Sequence, residues 1–170
     1  MASLLSRLDG TGQVLTVDMN ETRFVAVQQR PAIRTRDLGS CSFVLIASKY
    51  GAILAHISPL PHQTADPHVG DNHMRAKMQE IQNLVYYYRS HRYFAQMENL
   101  IVRAVYRGQI ALPSQVGIMQ QIRTVLGAAP NVQTYTVPGD NQNPARGTVV
   151  VFSGGDKRPG IYAEDASRHL

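Results

Sequence analysis

The sequence predicts an α/β fold: an α+β arrangement of mostly antiparallel sheet with two principal helices, in one domain. Three observations predict it. Short apolar runs of strand length, at residues 23–28, 43–47, 53–57, 132–137 and 148–152, recur between turn-forming residues. Two other segments carry apolar residues at helical spacing, Met74, Met78, Ile81, Val85 and Tyr88 in one and Ile118, Ile122, Val125 and Leu126 in the other. The chain has 170 residues, a usual size for a single domain with a sizeable core, and shows no internal repeat or linker.

Taken in order, residues 1–13 read as a mobile lead-in, followed by the first strand at 23–28. Residues 43–47 and 53–57 flank Ser48-Lys49-Tyr50-Gly51 and read as a hairpin. Residues 58–71 are rich in proline and histidine and poor in apolar side chains, so they read as a long loop. Asp71 or Asn72 is then expected to cap the first helix. A strand begins at Leu100-Ile101-Val102. Ser114 is expected to cap the second helix, with Gly127 as its left-handed stop. Two more strands follow, and residues 156–170 read as a polar, loosely held end.

Chemistry concentrates in the hairpin. Cys41 is the only cysteine, it follows Gly39-Ser40, and His56 lies fifteen residues further on. A thiolate is the reactive form of cysteine, and a neighbouring imidazole both removes its proton and stabilises the charge. Whether the two can meet depends on parity. In an antiparallel pair with an even-numbered loop, opposed positions sum to an odd number, as 41 and 56 do, so both side chains share a face. With Lys49-Tyr50 as the loop, His56 lies opposite Phe43 and diagonal to Cys41, about 7–8 Å away at the backbone level. An odd loop without a bulge would separate them. The plain alternatives are a small buried apolar cysteine, a threonine at a strand start for Thr35 and an ordinary turn at Gly39-Ser40.

Thr35, six residues before Cys41, Leu38-Gly39-Ser40-Cys41 itself, and His56 followed by Leu60-Pro61 resemble the signature of the chemoreceptor glutamine deamidase (CheD) family. The chain looks like a divergent member: only Gly51 stands where the family has a glycine pair, and one extra residue separates the histidine from Leu-Pro. The resemblance implies an α/β sandwich without a cofactor. It implies Cys41 as nucleophile, His56 as general base and acid, and Thr35 as the residue that orients the imidazole. Backbone N–H groups around Gly39 and Ser40 would hold the oxyanion. The expected activity is deamidation of protein glutamine side chains to glutamate, releasing ammonia through a thioester. The partner implied is a protein substrate carrying a reactive glutamine. The loop with Leu60 and Pro61 is expected to line the cleft and select among substrates. The competing expectation is an inactive interaction module that keeps the fold. A catalytic thiol predicts rapid alkylation of the native protein by iodoacetamide, and a core cysteine predicts the opposite.

Composition narrows the remaining classes. With 44% hydrophobic and 17% charged residues the chain reads as globular, and no run approaches the roughly 18 apolar residues that span a bilayer. Residues 1–7 lack a long apolar core and a cleavage site, so no signal peptide is expected. One unpaired cysteine suits a reducing compartment, and the cytoplasm is the expected location. The net charge of +5 comes from scattered arginines, without the aromatic-basic repeats that stack bases. The group Arg30, Arg34 and Arg36 instead suits an acidic protein partner. His56, His62, His68 and His73, with Asp66 and Asp71, lack any metal-ligand spacing, so no metal is expected. Gly154-Gly155-Asp156 lacks the Gly-Lys-Ser/Thr of a phosphate loop and reads as a turn.

Overall fold

The β4–β5 hairpin organises the molecule. In the protein's computed structural model, β4 is Ser42–Ala47 and β5 is Gly51–Ile57. The structure describes residues 12–30, 32–35, 41–94, 98–106, 109–110, 117–118, 120, 131–137, 149–152, 160–163 and 166–168. The two strands pair antiparallel from Ala47 opposite Ala52 to Ser42 opposite Ile57. Ser48 N–H donates to the Gly51 carbonyl at 2.9 Å, which leaves Lys49-Tyr50 as a two-residue loop. Phe43 lies opposite His56, the register that the even-loop argument requires.

Among the described residues two sheets and one long helix form an α+β architecture. The remaining strands are β1 (Val14–Thr16), β2 (Thr22–Ala26), β3 (Ala32–Thr35), β6 (Glu98–Tyr106), β7 (Gln109–Ile110), β8 (Asn131–Val137), β9 (Val149–Phe152), β10 (Gly160–Ala163) and β11 (Ala166–Arg168). One sheet runs β1-β3-β9-β10-β11, the other β2-β5-β4-β6-β7 with β8 also on β6. Pairings are antiparallel except β1 with β3 and β6 with β8. The second sheet buries both faces of its hairpin, so β4 and β5 read as continuous apolar runs rather than alternating ones. Val44, Ile46, Ile53, Ala55 and Ile57 pack against the helix α1 (Val69–Ser90). By strand alternation Phe43, Leu45, Leu54 and His56 occupy the other face, the one that meets β3 of the first sheet.

The helix follows its sequence stripe, with Met74, Met78, Ile81 and Val85 buried at spacings of three and four. Burying each such side chain contributes about 1.5–3 kcal/mol. Tyr88, at the end of the stripe, stacks on Phe24 of β2 with ring centroids 3.6 Å apart. The start differs from expectation. The cap is His68, without a side-chain hydrogen bond, and the helix begins at Val69. Asp66 Oδ1 accepts the His68 N–H at 2.9 Å and turns the chain into the helix after Pro67. Asp71 falls inside the first turn, where its charge complements the N–H groups of the helix start. The loop is accordingly 58–68. The helix ends in a Schellman arrangement: Tyr93 N–H bonds the Tyr88 carbonyl and Arg92 N–H the Arg89 carbonyl.

Of the second expected helix, residues 117, 118 and 120 have helical backbone and Ile118 is buried in the core. Its expected cap Ser114, the stripe residues Ile122, Val125 and Leu126, and the stop Gly127 lie outside the described residues. The end of the chain, expected to be loosely held, contributes the β10–β11 hairpin beside β9, because β9 offers a strand edge for β10 to pair with. Residues 154–156 lie between β9 and β10 and outside the described residues, as does the lead-in up to residue 11. Among the described residues no helix is long and apolar enough to cross a membrane.

At Gly51 the hairpin passes close to β2. A Cβ there would lie 2.8 Å from both the Phe24 ring and the Val25 carbonyl. The ring cannot retreat easily, since Tyr88 is stacked on it. Gly51→Ala should therefore destabilise the protein by about 1–3 kcal/mol, read as a lower urea midpoint with an unchanged slope. An unshifted midpoint would show that β2 is free to give way.

Candidate active site

Three elements bring the sequence candidates together. Thr35 closes β3 in one sheet, His56 sits near the end of β5 in the other, and Cys41 immediately precedes β4. All three are buried: Thr35 is 0%, His56 2% and Cys41 6% exposed. Extending the observed register one step places Cys41 opposite Ser58, hence diagonal to His56 and on its face. Gly39 and Ser40, the expected oxyanion positions, lie outside the described residues, as does Arg36.

His56 is fixed through its backbone and its ring. Its N–H donates to the Glu21 carbonyl at 3.1 Å, and its own carbonyl accepts the Asn20 N–H at 2.7 Å. Thr35 Oγ1 lies 2.7 Å from His56 Nδ1 and 2.8 Å from the Val17 carbonyl. A carbonyl only accepts, so the single hydroxyl proton of Thr35 is committed to Val17. Thr35 can then only accept from the ring, which puts the imidazole proton on Nδ1. Nε2, shielded from solvent, carries the lone pair. That tautomer is the one a general base needs.

Cys41 is less simply disposed toward catalysis. Burial pushes its thiol up to about 11, from a reference of 9.0. The resting sulfur is a protonated thiol at neutral pH, so the rapid alkylation expected of an activated thiolate does not follow from this environment. A nucleophile in this position needs its proton removed as it attacks.

Behind His56 lies a polar clamp that carries no motif in the sequence. Asn20 adopts the left-handed conformation, with φ +64°, which asparagine tolerates better than most residues. Its Oδ1 accepts the Ser58 N–H at 3.0 Å and His73 Nε2–H at 2.9 Å, and Lys77 Nζ donates to its carbonyl. Ser58 Oγ donates onward to the Leu60 carbonyl at 2.7 Å. The start of the 58–68 loop is thus tied to helix α1 and to the strand carrying His56. Burial foremost, then the Lys77 charge, lowers the pKa of His73, which favours its neutral ring. Leu60 is held through its backbone although the residue is 43% exposed, and Pro61 is exposed as well. Of the other histidines, His62 and His68 are exposed on the loop. Among the described residues no three His, Cys, Asp or Glu side chains converge on one point. The signal for the clamp was an asparagine just before a strand; the Val17 carbonyl has no residue-type signal at all.

The raised thiol pKa carries a sign that can be measured. The folded state favours the neutral thiol, so the contribution to stability is complete below pH 9 and is lost as pH rises through about 11. Urea midpoints should fall over that range in the parent and fall less in Cys41→Ala. Alkylation of the native protein by iodoacetamide should rise about tenfold per pH unit toward the same value. A rate that instead levels off near neutrality would reveal a thiolate–imidazolium pair.

No protein-family model matches the chain and no curated protein matches it, so the functional reading rests on this geometry and on the sequence motif.

Proposed function

We propose that the protein is a cysteine-dependent amidohydrolase that deamidates protein glutamine side chains, as its resemblance to the glutamine deamidases implies. The observation that carries the reading is the Val17–Thr35–His56 chain, which sets the tautomer of a buried imidazole on the face shared with Cys41. In this reading His56 Nε2 takes the Sγ proton as sulfur attacks the glutamine side-chain carbonyl carbon. Backbone N–H groups around Gly39 and Ser40 hold the tetrahedral oxyanion. Collapse breaks the C–N bond, and the proton on Nε2 goes to the leaving nitrogen as ammonia departs. Water then attacks the thioester, gives its proton to Nε2 and releases glutamate, and the proton returns to sulfur. No metal or cofactor enters the scheme. The loop bearing Leu60 and Pro61 would select the protein substrate, in the reducing cytoplasm that suits a lone thiol.

One observation favours a second reading. A buried thiol held near 11 is what a non-catalytic interaction module with the same fold would carry.

Activity separates them. Incubation with candidate protein partners should convert glutamine to glutamate, visible by mass spectrometry, and release ammonia; Cys41→Ala should do neither. Cys41→Ser should lose the activity while the fold survives, because it replaces the sulfur with a smaller and far less acidic hydroxyl. Thr35→Ser should retain more activity than Thr35→Ala, since the serine hydroxyl can repeat both hydrogen bonds. Deamidation retained in Cys41→Ser with a lowered melting temperature would end the catalytic role of Cys41, and no glutamine conversion by the parent would leave the interaction module as the surviving reading.

A further inference from the structure

At the opposite end of β5 from His56, the hairpin loop and the end of helix α1 enclose a cleft of about 470 Å³. Val27, Gln28, Lys49, Tyr50, His91, Arg92 and Tyr93 line it. None is acidic. Lys49 and Arg92 bring two basic side chains to the lining, beside the His91 ring, whose Nδ1–H is donated to the Tyr87 carbonyl at 2.8 Å. Tyr50, 51% exposed, presents its ring with the Lys49 ammonium 4.9 Å from the centroid. Tyr93 packs by its edge against Phe24 and Tyr88 and so forms a rigid wall. Cations beside half-exposed aromatic faces, in a cleft within the usual volume of small-molecule sites, suit a flat ring bearing an anionic group.

Basic residues at a helix end often only complement the peptide dipoles. That end amounts to about half a negative charge, less than Arg89 and Arg92 already supply. Lys49 comes from a different element, the β4–β5 loop, and faces the same cleft. The backbone of Arg92 adds an independent observation. It occupies the left-handed position of the Schellman arrangement, with φ +66°, where glycine is the favoured residue. An arginine there is strained, and such strain is kept where a side chain has a task. Its guanidinium has no hydrogen bond or ion pair among the described residues.

We propose that this cleft binds a small aromatic phosphate, an aryl or nucleoside monophosphate, with the phosphoryl oxygens between Lys49 and Arg92 and the ring against Tyr50 and Tyr93. The site lies about 17 Å along β5 from His56, at the usual rise per strand residue, and it stands independently of the deamidase reading.

Calorimetric titration of the full chain with AMP, phenyl phosphate, inorganic phosphate and adenosine tests it. AMP or phenyl phosphate should bind at least about tenfold more tightly than inorganic phosphate or adenosine, since only they use both walls. Lys49→Gln and Arg92→Gly should each weaken that binding about tenfold or more. Arg92→Gly should also melt at the same or a higher temperature, because glycine relieves the left-handed strain. This variant separates a lost ligand contact from a lost fold. The proposal is overturned if neither organic phosphate binds, if inorganic phosphate binds as well as they do, or if Arg92→Gly binds like the parent. A lower melting temperature in Arg92→Gly would likewise overturn it, by assigning the arginine to the helix end alone.

Discussion

Thr35 owns one hydroxyl proton, and the Val17 carbonyl takes it. From that commitment follow the protonation of His56 at Nδ1, the lone pair on Nε2 and the direction in which the ring can accept a proton. The bond spans two sheets, since Thr35 belongs to β3 and His56 to β5. It survives only while the sheets are held at a fixed separation, set by the side chains filling the space around it. Ile33, Leu45 and Leu54 are buried there at 0–1% exposure. Interiors are close-packed and transmit small volume changes as displacements. A substitution at any of these apolar positions therefore acts on the imidazole as well as on stability. The core and the site are one mechanical object.

The environment that orders the histidine also suppresses ionisation of the cysteine. Burial penalises a charged sulfur, and a neutral thiol is the stable resting form. In the proposed deamidation the proton would leave as the bond forms, as in serine hydrolases, rather than from a standing thiolate–imidazolium pair. A neutral resting site avoids a buried charge between the sheets and shields the thiol from adventitious oxidation. For the proposed reaction it would also make the correct histidine tautomer indispensable, because no preformed thiolate would wait in reserve.

Much of the hairpin was legible in the sequence because its geometry is local. Two apolar runs, a four-residue punctuation and an odd sum of positions are enough to place Cys41 and His56 on one face, and the register agrees. Thr35 was legible only through the motif resemblance, since its reach to His56 depends on β3 pairing with β9, more than a hundred residues away along the chain. The helix stripe was plain, but its start was not: His68 caps without a side-chain bond, so nothing in residue type announced it. The β10–β11 hairpin escaped for a related reason. Its strands are short and partly polar, and they exist because β9 supplies an edge. The Val17 carbonyl and the Asn20 clamp were invisible for the simplest reason. Backbone groups have no letter in the sequence, and an asparagine in a turn is too common to single out.

The two-residue loop between β4 and β5 limits how the protein can diverge. Strand side chains alternate with a period of two, so one residue gained or lost between Ala47 and Gly51 would carry Cys41 and His56 to opposite faces of the sheet. Lineages can lengthen this turn in pairs of residues, or singly when a bulge absorbs the extra one. Length variation in most surface turns is nearly neutral. Here it is quantised, and an odd step without a bulge is closed to any descendant that keeps both side chains on one face.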